Sequence, residues 1–381
     1  MAASRILLIN YEFPPLGGGA GNATQNIARE LSKLGTDVRV LTTRFRGQPT
    51  MSQLDGYQIH RVRTPRRKED RSSPFEMLMF ILLAVPAALR VTKHWRPDAS
   101  IAFFGIPSGP VALALKLFRR IPYIVSLRGG DVPGHQPDQL ATLHALTRPL
   151  IRVIWRHAKA VVANSEGLRS LALRTAKGHD VCVIPNGVDT ALFYPPESAP
   201  ANETPLLLYV GRVSEEKGLD DLINALGEIK STAWRLKLIG DGPYMTTLRP
   251  LVNKVGIQDR VDFLGWLPRE ALIKHYQSAD IFTFPSKHEG MPNSVLEAMS
   301  CGLPILATRI AGNEELVQDG TNGFLVAPST PDALTAALTK MLAPPAQLST
   351  LGAESRRIVL QSYNWQRAAQ RYQDLAESAA S

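Results

Sequence analysis

Along the first 190 positions, short continuous apolar runs alternate with longer stretches in which apolar residues recur every three or four positions. The runs predict strands buried on both faces and the periodic stretches predict amphipathic helices, which together make a mostly parallel α/β sheet. Strands are expected at Arg5–Asn10, Asp37–Thr43, Gln58–Val62, Ala99–Phe104, Tyr123–Leu127, Ala160–Ala163 and Val181–Ile184. Helices are expected at Ala23–Leu34, Phe75–Lys93, Ser108–Phe118 and Leu140–His157.

After Ile184 a turn-rich run, Pro185-Asn186-Gly187-Val188-Asp189, leads to Tyr194-Pro195-Pro196 and the polar Ser198–Pro205, a composition that suits an interdomain linker. A second alternation follows. Its strands are expected near Leu206–Val210, Arg235–Ile239, Val261–Leu264, Ile281–Phe284, Pro304–Ala307 and Phe324–Val326, with helices near Gly218–Ile229, Tyr244–Lys254, Glu270–Tyr276, Asn293–Ser300 and Asp332–Leu342. The expected division is residues 1–190 and 191–361, with a cleft between two similar sheets. The final segment, 362–381, carries a helix near Trp365–Ala376 that is expected to return to the first domain.

The length of 381 residues agrees with two domains, and a 44% hydrophobic fraction supplies enough apolar matter for two cores. Cys182 and Cys301 lie far apart without metal-ligand spacing, so no disulfide framework or zinc site is expected. Met1–Asn10 lacks the charged and cleavage-site pattern of a secretory signal, which makes a cytoplasmic address the expectation. The net charge of +9 is unevenly spread: residues 1–190 hold 26 Lys and Arg against 13 Asp and Glu, leaving 17 against 21 for the remainder.

Two stretches of the second half carry chemistry. The apolar Leu206–Val210 ends in Gly211-Arg212-Val213-Ser214-Glu215-Glu216-Lys217-Gly218 and opens a helix. A glycine admits close backbone approach, Arg212 offers a planar fork for phosphate, and Lys217 adds a point charge. A surface turn with ion pairs to Glu215 and Glu216 accounts for the same letters. Downstream, Glu289-Gly290-Met291-Pro292-Asn293-Ser294-Val295-Leu296-Glu297-Ala298 precedes Cys301-Gly302-Leu303-Pro304. Asn293 or Ser294 is placed to cap a helix whose free N–H groups face an anion, with Glu289 on the loop before it and Glu297 about one turn in.

Taken with Gly240-Asp241-Gly242-Pro243 and Phe263-Leu264-Gly265, these stretches resemble the retaining GT-B glycosyltransferases of glycosyltransferase family 4 over nearly the whole chain. The resemblance implies two Rossmann-like domains facing an interdomain cleft and a nucleoside-diphosphate sugar donor, UDP- or GDP-linked. It implies that Arg212 and Lys217 hold the diphosphate, Glu297 the ribose hydroxyls and Glu289 the transferred sugar. Gly211, Gly290, Met291 and Asn293 would bring backbone to the donor, Pro292 would lack an N–H to give, and Leu264 would lie near the base.

In the first half, Pro14-Pro15-Leu16-Gly17-Gly18-Gly19-Ala20-Gly21-Asn22 is a poor match to a dinucleotide-binding GxGxxG, since Asn22 stands at the last glycine. The resemblance makes Gly18 and Gly19 part of a flexible loop over the donor phosphates, beside the acceptor. Strand Tyr123–Leu127 ends in Arg128-Gly129-Gly130-Asp131. Many relatives carry His-Gly-x-Asp there, so Arg128 departs from the pattern; Arg128 is a candidate for the diphosphate and Asp131 either for a sugar hydroxyl or for tying its own loop. His135, His144, His157 and His288 do not form a ligand set and no Asp-x-Asp follows a strand, so no essential metal or other cofactor is expected.

The apolar Met77–Val85 extends to Leu89 but contains Pro86, which makes it too short to span a bilayer; Arg61, Arg63, Arg66, Arg67, Lys68 and Arg71 precede it. This pairing suits an anionic membrane surface, and a buried core helix beside a solvated basic loop accounts for it as well. Nucleic acid is not an expected partner, because aromatic residues do not interleave the basic ones. The resulting expectation is a retaining, metal-independent sugar transfer to a lipid-linked or envelope glycan at the cytoplasmic membrane face. A soluble acceptor, a sugar-nucleotide epimerase and a noncatalytic nucleotide-sugar binder stand as alternatives.

Overall fold

A computed structural model of the chain describes residues 4–69, 72–134, 137–175, 178, 180–198, 202–343 and 345–380. Arg71 and His135, named above, lie outside them. The chain divides into two units, residues 1–187 with 365–381 and residues 188–364.

The first unit runs β1 (Arg5–Ile9), α1 (Gly19–Lys33), β2 (Asp37–Arg44), β3 (Met51–Leu54), β4 (Tyr57–Arg63), α2 (Pro74–Val91), β5 (Ala99–Phe103), α3 (Ser108–Arg119), β6 (Tyr123–Ser126), α4 (Pro137–His157), β7 (Ala160–Ala163), α5 (Glu166–Thr175) and β8 (Val181–Val183). Its eight-stranded sheet has the order β3-β4-β2-β1-β5-β6-β7-β8. Every pairing is parallel except that of the edge strand β3 with β4. In β1 the pleat sends Ile6 and Leu8 to one core and Leu7 and Ile9 to the other, so burial on both faces replaces alternation with a continuous apolar run.

The second unit contains β9 (Leu206–Val210), α6 (Leu219–Glu228), β10 (Arg235–Ile239), α7 (Met245–Val255), β11 (Val261–Gly265), α8 (Arg269–Ser278), β12 (Ile281–Phe284), α9 (Asn293–Ser300), β13 (Ile305–Thr308), α10 (Ala311–Glu314), β14 (Gly323–Val326), α11 (Pro331–Leu342) and α12 (Pro345–Ser362). The sheet order is β11-β10-β9-β12-β13-β14, all parallel, and it reverses direction beside β9 and β12. Ligands of open parallel sheets bind outside the carboxyl ends of the strands at such a reversal.

The last helix, α13 (Trp365–Ala380), belongs to the first unit. Its Trp365, Ala368, Ala369, Tyr372 and Ala376 recur at helical spacing and join the core that holds Ile6 and Leu8. The Tyr372 hydroxyl lies 2.6 Å from Ser126 Oγ, tying the helix to β6.

Three features depart from expectation. The short edge strand β3 and helices α5, α10 and α12 had no expected counterpart. The first turn of α1 absorbs Gly19 to Asn22, where the sequence predicts a loop. Helix α2 lies close to the expected Phe75–Lys93, but Pro86 does not cut it short: a Ser73–Glu76 capping box starts it at Pro74, and its 18 residues are long and apolar enough by length and composition to cross a membrane, contrary to the expectation of too short a run. Only Phe80, Ala84 and Ala88 of α2 are buried.

Because Trp365 is 3% exposed, Trp365→Ala is expected to destabilise the first unit by about 3–5 kcal/mol in denaturant unfolding. A loss below about 1 kcal/mol would mean that α13 is dispensable to that core.

Candidate donor site in the second unit

Four strands of the second unit send their following loops to one edge, and backbone hydrogen bonds lace those loops together. Gly211 N–H donates to Ile239 O at 3.0 Å, Val213 N–H to Asp241 O at 3.0 Å, and Gly240 N–H to Gly265 O at 2.8 Å. Lys287 N–H donates to Glu216 O at 2.7 Å, joining the loops after β9 and β12. Gly218 has φ +62°, and a Cβ there would stand 2.2 Å from Pro285 O, so only glycine permits the approach. A Cβ on Gly312 would likewise stand 2.5 Å from Gly290 O, which packs α10 against the loop before α9.

This lacing brings Lys217 and Glu289 together, although 72 residues separate them. The Lys217 ammonium donates to Glu289 Oε1 and lies 5.7 Å above the Phe284 ring. Their side chains are 16% and 18% exposed, so the pair is reachable from solvent yet partly desolvated. Ser286 Oγ, absent from the sequence-based candidates, lies 3.4 Å from the same Glu289 oxygen. Burial pushes the Glu216 carboxyl up, but hydrogen bonding in its turn and the neighbouring Lys217 and Arg212 cations outweigh it and hold the group below its ordinary value. Both cations therefore act on one short turn. Arg212 is exposed at its surface, and its carbonyl accepts from the buried Tyr209 hydroxyl at 2.8 Å.

Helix α9 begins at Asn293 with Pro292 at its cap position, and no side chain caps it. The expectation that Asn293 or Ser294 would cap it fails because Asn293 is already the first helical residue. The positive end of the helix dipole follows directly on the Glu289 loop.

Glu297 sits one turn inside and is 7% exposed. Tyr276 O–H donates to its Oε2 at 3.1 Å and the Arg269 guanidinium meets Oε1 at 3.3 Å. Burial raises its pKa, with Arg269 and Tyr276 opposing the shift. Neither partner was legible in the sequence, since they lie 28 and 21 positions away on α8. Leu264, at the end of β11, is 37% exposed.

The candidates in the first unit occupy two loops. Gly18 precedes α1 and a Cβ there would meet open space; Gly19 is the first residue of that helix. The Asp131 carboxylate is 6% exposed and accepts from the backbone N–H groups of Gly105 at 2.7 Å, Arg128 at 2.9 Å and Gly129 at 3.1 Å. It therefore organises the loop after β6. Arg128 donates to Asn186 Oδ1 at 2.8 Å and to the Tyr372 hydroxyl at 3.4 Å, with its guanidinium 4.8 Å above Phe103. His144 Nε2 lies 2.9 Å from Gly130 O, a loop contact in place of a metal ligand's role.

Two family models match the chain, one within each unit: glycosyl transferases group 1 over residues 193–358 and glycosyl transferase 4-like domain over residues 18–187. The chain is a GT4-type GT-B glycosyltransferase. A GDP-mannose-dependent alpha-(1-6)-phosphatidylinositol monomannoside mannosyltransferase of Mycolicibacterium smegmatis is 28% identical to this glycosyltransferase, covering 97% of both chains. Glycogen synthase of Mycobacterium tuberculosis is 27% identical over 96% of this chain and 92% of its own. Sucrose-phosphate synthase from Thermosynechococcus elongatus, at 24% identity, matches the fold with a TM-score of 0.87 over 98% of each chain. The fold is GT-B and the donor a nucleotide sugar.

For the buried Glu297 the sign of the pH effect follows from its raised pKa. The stability it contributes is fully present below the ordinary glutamate value and is lost as pH rises through the raised one. The stability difference between wild type and Glu297→Gln should therefore move against the wild type as pH rises from about 4 toward neutrality, as read by urea unfolding at each pH. A difference constant across that range contradicts the assigned shift.

Proposed function

We propose that this glycosyltransferase moves a sugar from a UDP- or GDP-linked donor to an acceptor hydroxyl with retention at the anomeric carbon and without a metal ion. The observation that carries this reading is the Lys217–Glu289 contact beside the uncapped start of α9. In the absence of donor, the carboxylate holds the ammonium in place. An incoming diphosphate draws Lys217 away with its greater charge, which frees Glu289 to accept hydrogen bonds from sugar hydroxyls.

As the anomeric carbon–oxygen bond breaks, negative charge grows on the leaving diphosphate. Arg212, Lys217, the loop N–H groups of Gly290 and Met291 and the first N–H of α9 at Asn293 stabilise it. Glu297, oriented by Arg269 and Tyr276, takes the ribose hydroxyls with its remaining lone pairs. The leaving phosphate oxygen accepts the acceptor's proton on the same face of the sugar. In the first unit, Gly18 and Gly19 approach the substrates through backbone, while Arg128 and Asp131 position the acceptor loop.

The acceptor is proposed to be a lipid-linked or envelope glycan at the cytoplasmic membrane face. Helix α2 exposes Phe75, Leu78 and Leu82 by 52–62%, and neighbouring α3 ends in Leu117 and Phe118, 65% and 70% exposed. Arg90 near the end of α2 and Arg119 and Arg120 at the end of α3 are exposed, and each cation near an anionic surface contributes about 1 kcal/mol. The mannosyltransferase named above acts on a phosphatidylinositol monomannoside, which favours a lipid-linked acceptor for this chain over a soluble one.

Lys217→Ala is expected to lower turnover by about 10²–10³ with the melting curve unchanged. Wild-type turnover in this variant excludes the site. Sedimentation with vesicles tests the acceptor's setting: binding should rise with anionic lipid and fall with salt. Equal sedimentation with neutral and anionic vesicles removes the membrane reading.

A further inference from the structure

We propose that the first unit carries a second ligand site, separate from the donor residues, that takes a phosphate group bearing an apolar tail. The site is a cavity of about 780 Å³ between α2 and the outer strands β2, β3 and β4. It draws on no residue assigned to transfer, and it does not depend on the acceptor being a lipid.

The strand register explains its chemistry. Strands β2 and β4 pair in parallel, with Leu41 opposite His60 and Thr43 opposite Val62. Leu41 and Val62 belong to the core beneath α2, so the two-residue period turns Arg39 and His60 to that same inner face. Both residues line the cavity. Positions that would ordinarily hold aliphatic side chains under a helix thus carry a guanidinium and an imidazole.

Asp37 sets a charge against Arg39 but does not line the cavity, and burial outweighs it, holding the Arg39 guanidinium below its ordinary pKa. Arg61, Arg63, Arg90 and His94 also line the cavity, and among its described lining residues there is no Asp or Glu. Arg39 lies 4.4 Å from the centre of the Trp95 ring, a contact with no charge to offset its own. Asp37, the neighbouring acid, accepts from Trp95 Nε1 at 2.6 Å. Arg39 Nε and His60 Nε2 have no hydrogen-bond partner. Burial, and after it the Arg39 charge, hold the His60 imidazole below its ordinary pKa. A guanidinium that burial penalises more than Asp37 compensates carries an unrecovered desolvation cost, which a bound phosphate removes.

The opposite wall selects the rest of the ligand. Leu83, Pro86, Ala87 and Val91 of α2 line it, and on the same helix Leu78 and Leu82 are exposed. A phosphate seated against Arg39 and His60 therefore leaves an attached hydrocarbon chain against an apolar helix. A free phosphate would satisfy the basic wall alone.

Isothermal titration with dihexanoyl phosphatidylglycerol below its micelle concentration tests the site, beside dihexanoyl phosphatidylcholine and inorganic phosphate. The wild-type chain should bind phosphatidylglycerol saturably and the other two at least about tenfold more weakly. Arg39→Gln with His60→Asn should weaken binding at least about tenfold by removing the guanidinium and the imidazole donor, and Ala87→Trp should do the same by filling the cavity with both left in place. The two changes perturb packing in different ways, and thermal melting confirms that each variant folds. No saturable binding, binding untouched in both folded variants, or inorganic phosphate binding as tightly as phosphatidylglycerol overturns the proposal.

Discussion

The second unit is organised around one constraint: two loops from neighbouring parallel strands must approach closely enough for Lys217 to rest on Glu289. Parallel topology sends both loops to the same edge, and the order reversal at β9 and β12 leaves a crevice there. Glycine at 218 lets the chain pass Pro285 O, and the Lys287–Glu216 backbone bond fixes the approach. A cation, a carboxylate and an uncapped helix start then share a small region, and their spacing is set by backbone that does not depend on a ligand. Such preorganisation suits a reaction whose main demand is to stabilise charge on a departing diphosphate.

The strands were legible because parallel sheets bury both faces, and a run such as Leu206–Val210 admits no other placement. The site motifs were legible where chemistry and loop position coincide, as at Gly211–Gly218 and Glu289–Glu297. The environment of Glu297 was not. Tyr276 and Arg269 reach it from α8 across the fold, and nothing in local spacing marks a tyrosine or arginine as a carboxylate's partner. The edge strand β3 escaped notice because Met51–Leu54 has one apolar residue at each end and largely exposed positions, which leaves no alternation to read. The α9 cap was misread because sequence preference favours Asn, while the conformation at Pro292 starts the helix one residue earlier.

The first unit uses charge differently. Arg128 is committed to Asn186 and Tyr372, whereas Arg39, Arg61, Arg63 and Arg90 line one cavity beneath α2. Helix α2 gives Phe80, Ala84 and Ala88 to the core and keeps Phe75, Leu78 and Leu82 outside. A helix serving only the core would not leave so many large apolar side chains exposed. The electropositive half thus combines an apolar exposed helix layer with cations, an arrangement suited to amphiphilic anions, while the acidic half holds its few functional cations at the strand ends.

The central claim is that Lys217 exchanges Glu289 for the donor's diphosphate. A crystal structure of the chain with a bound nucleoside diphosphate tests it directly. The account predicts Lys217 Nζ at about 2.8 Å from a phosphate oxygen, with Glu289 released. A diphosphate bound away from α9 with the Lys217–Glu289 pair intact would contradict it.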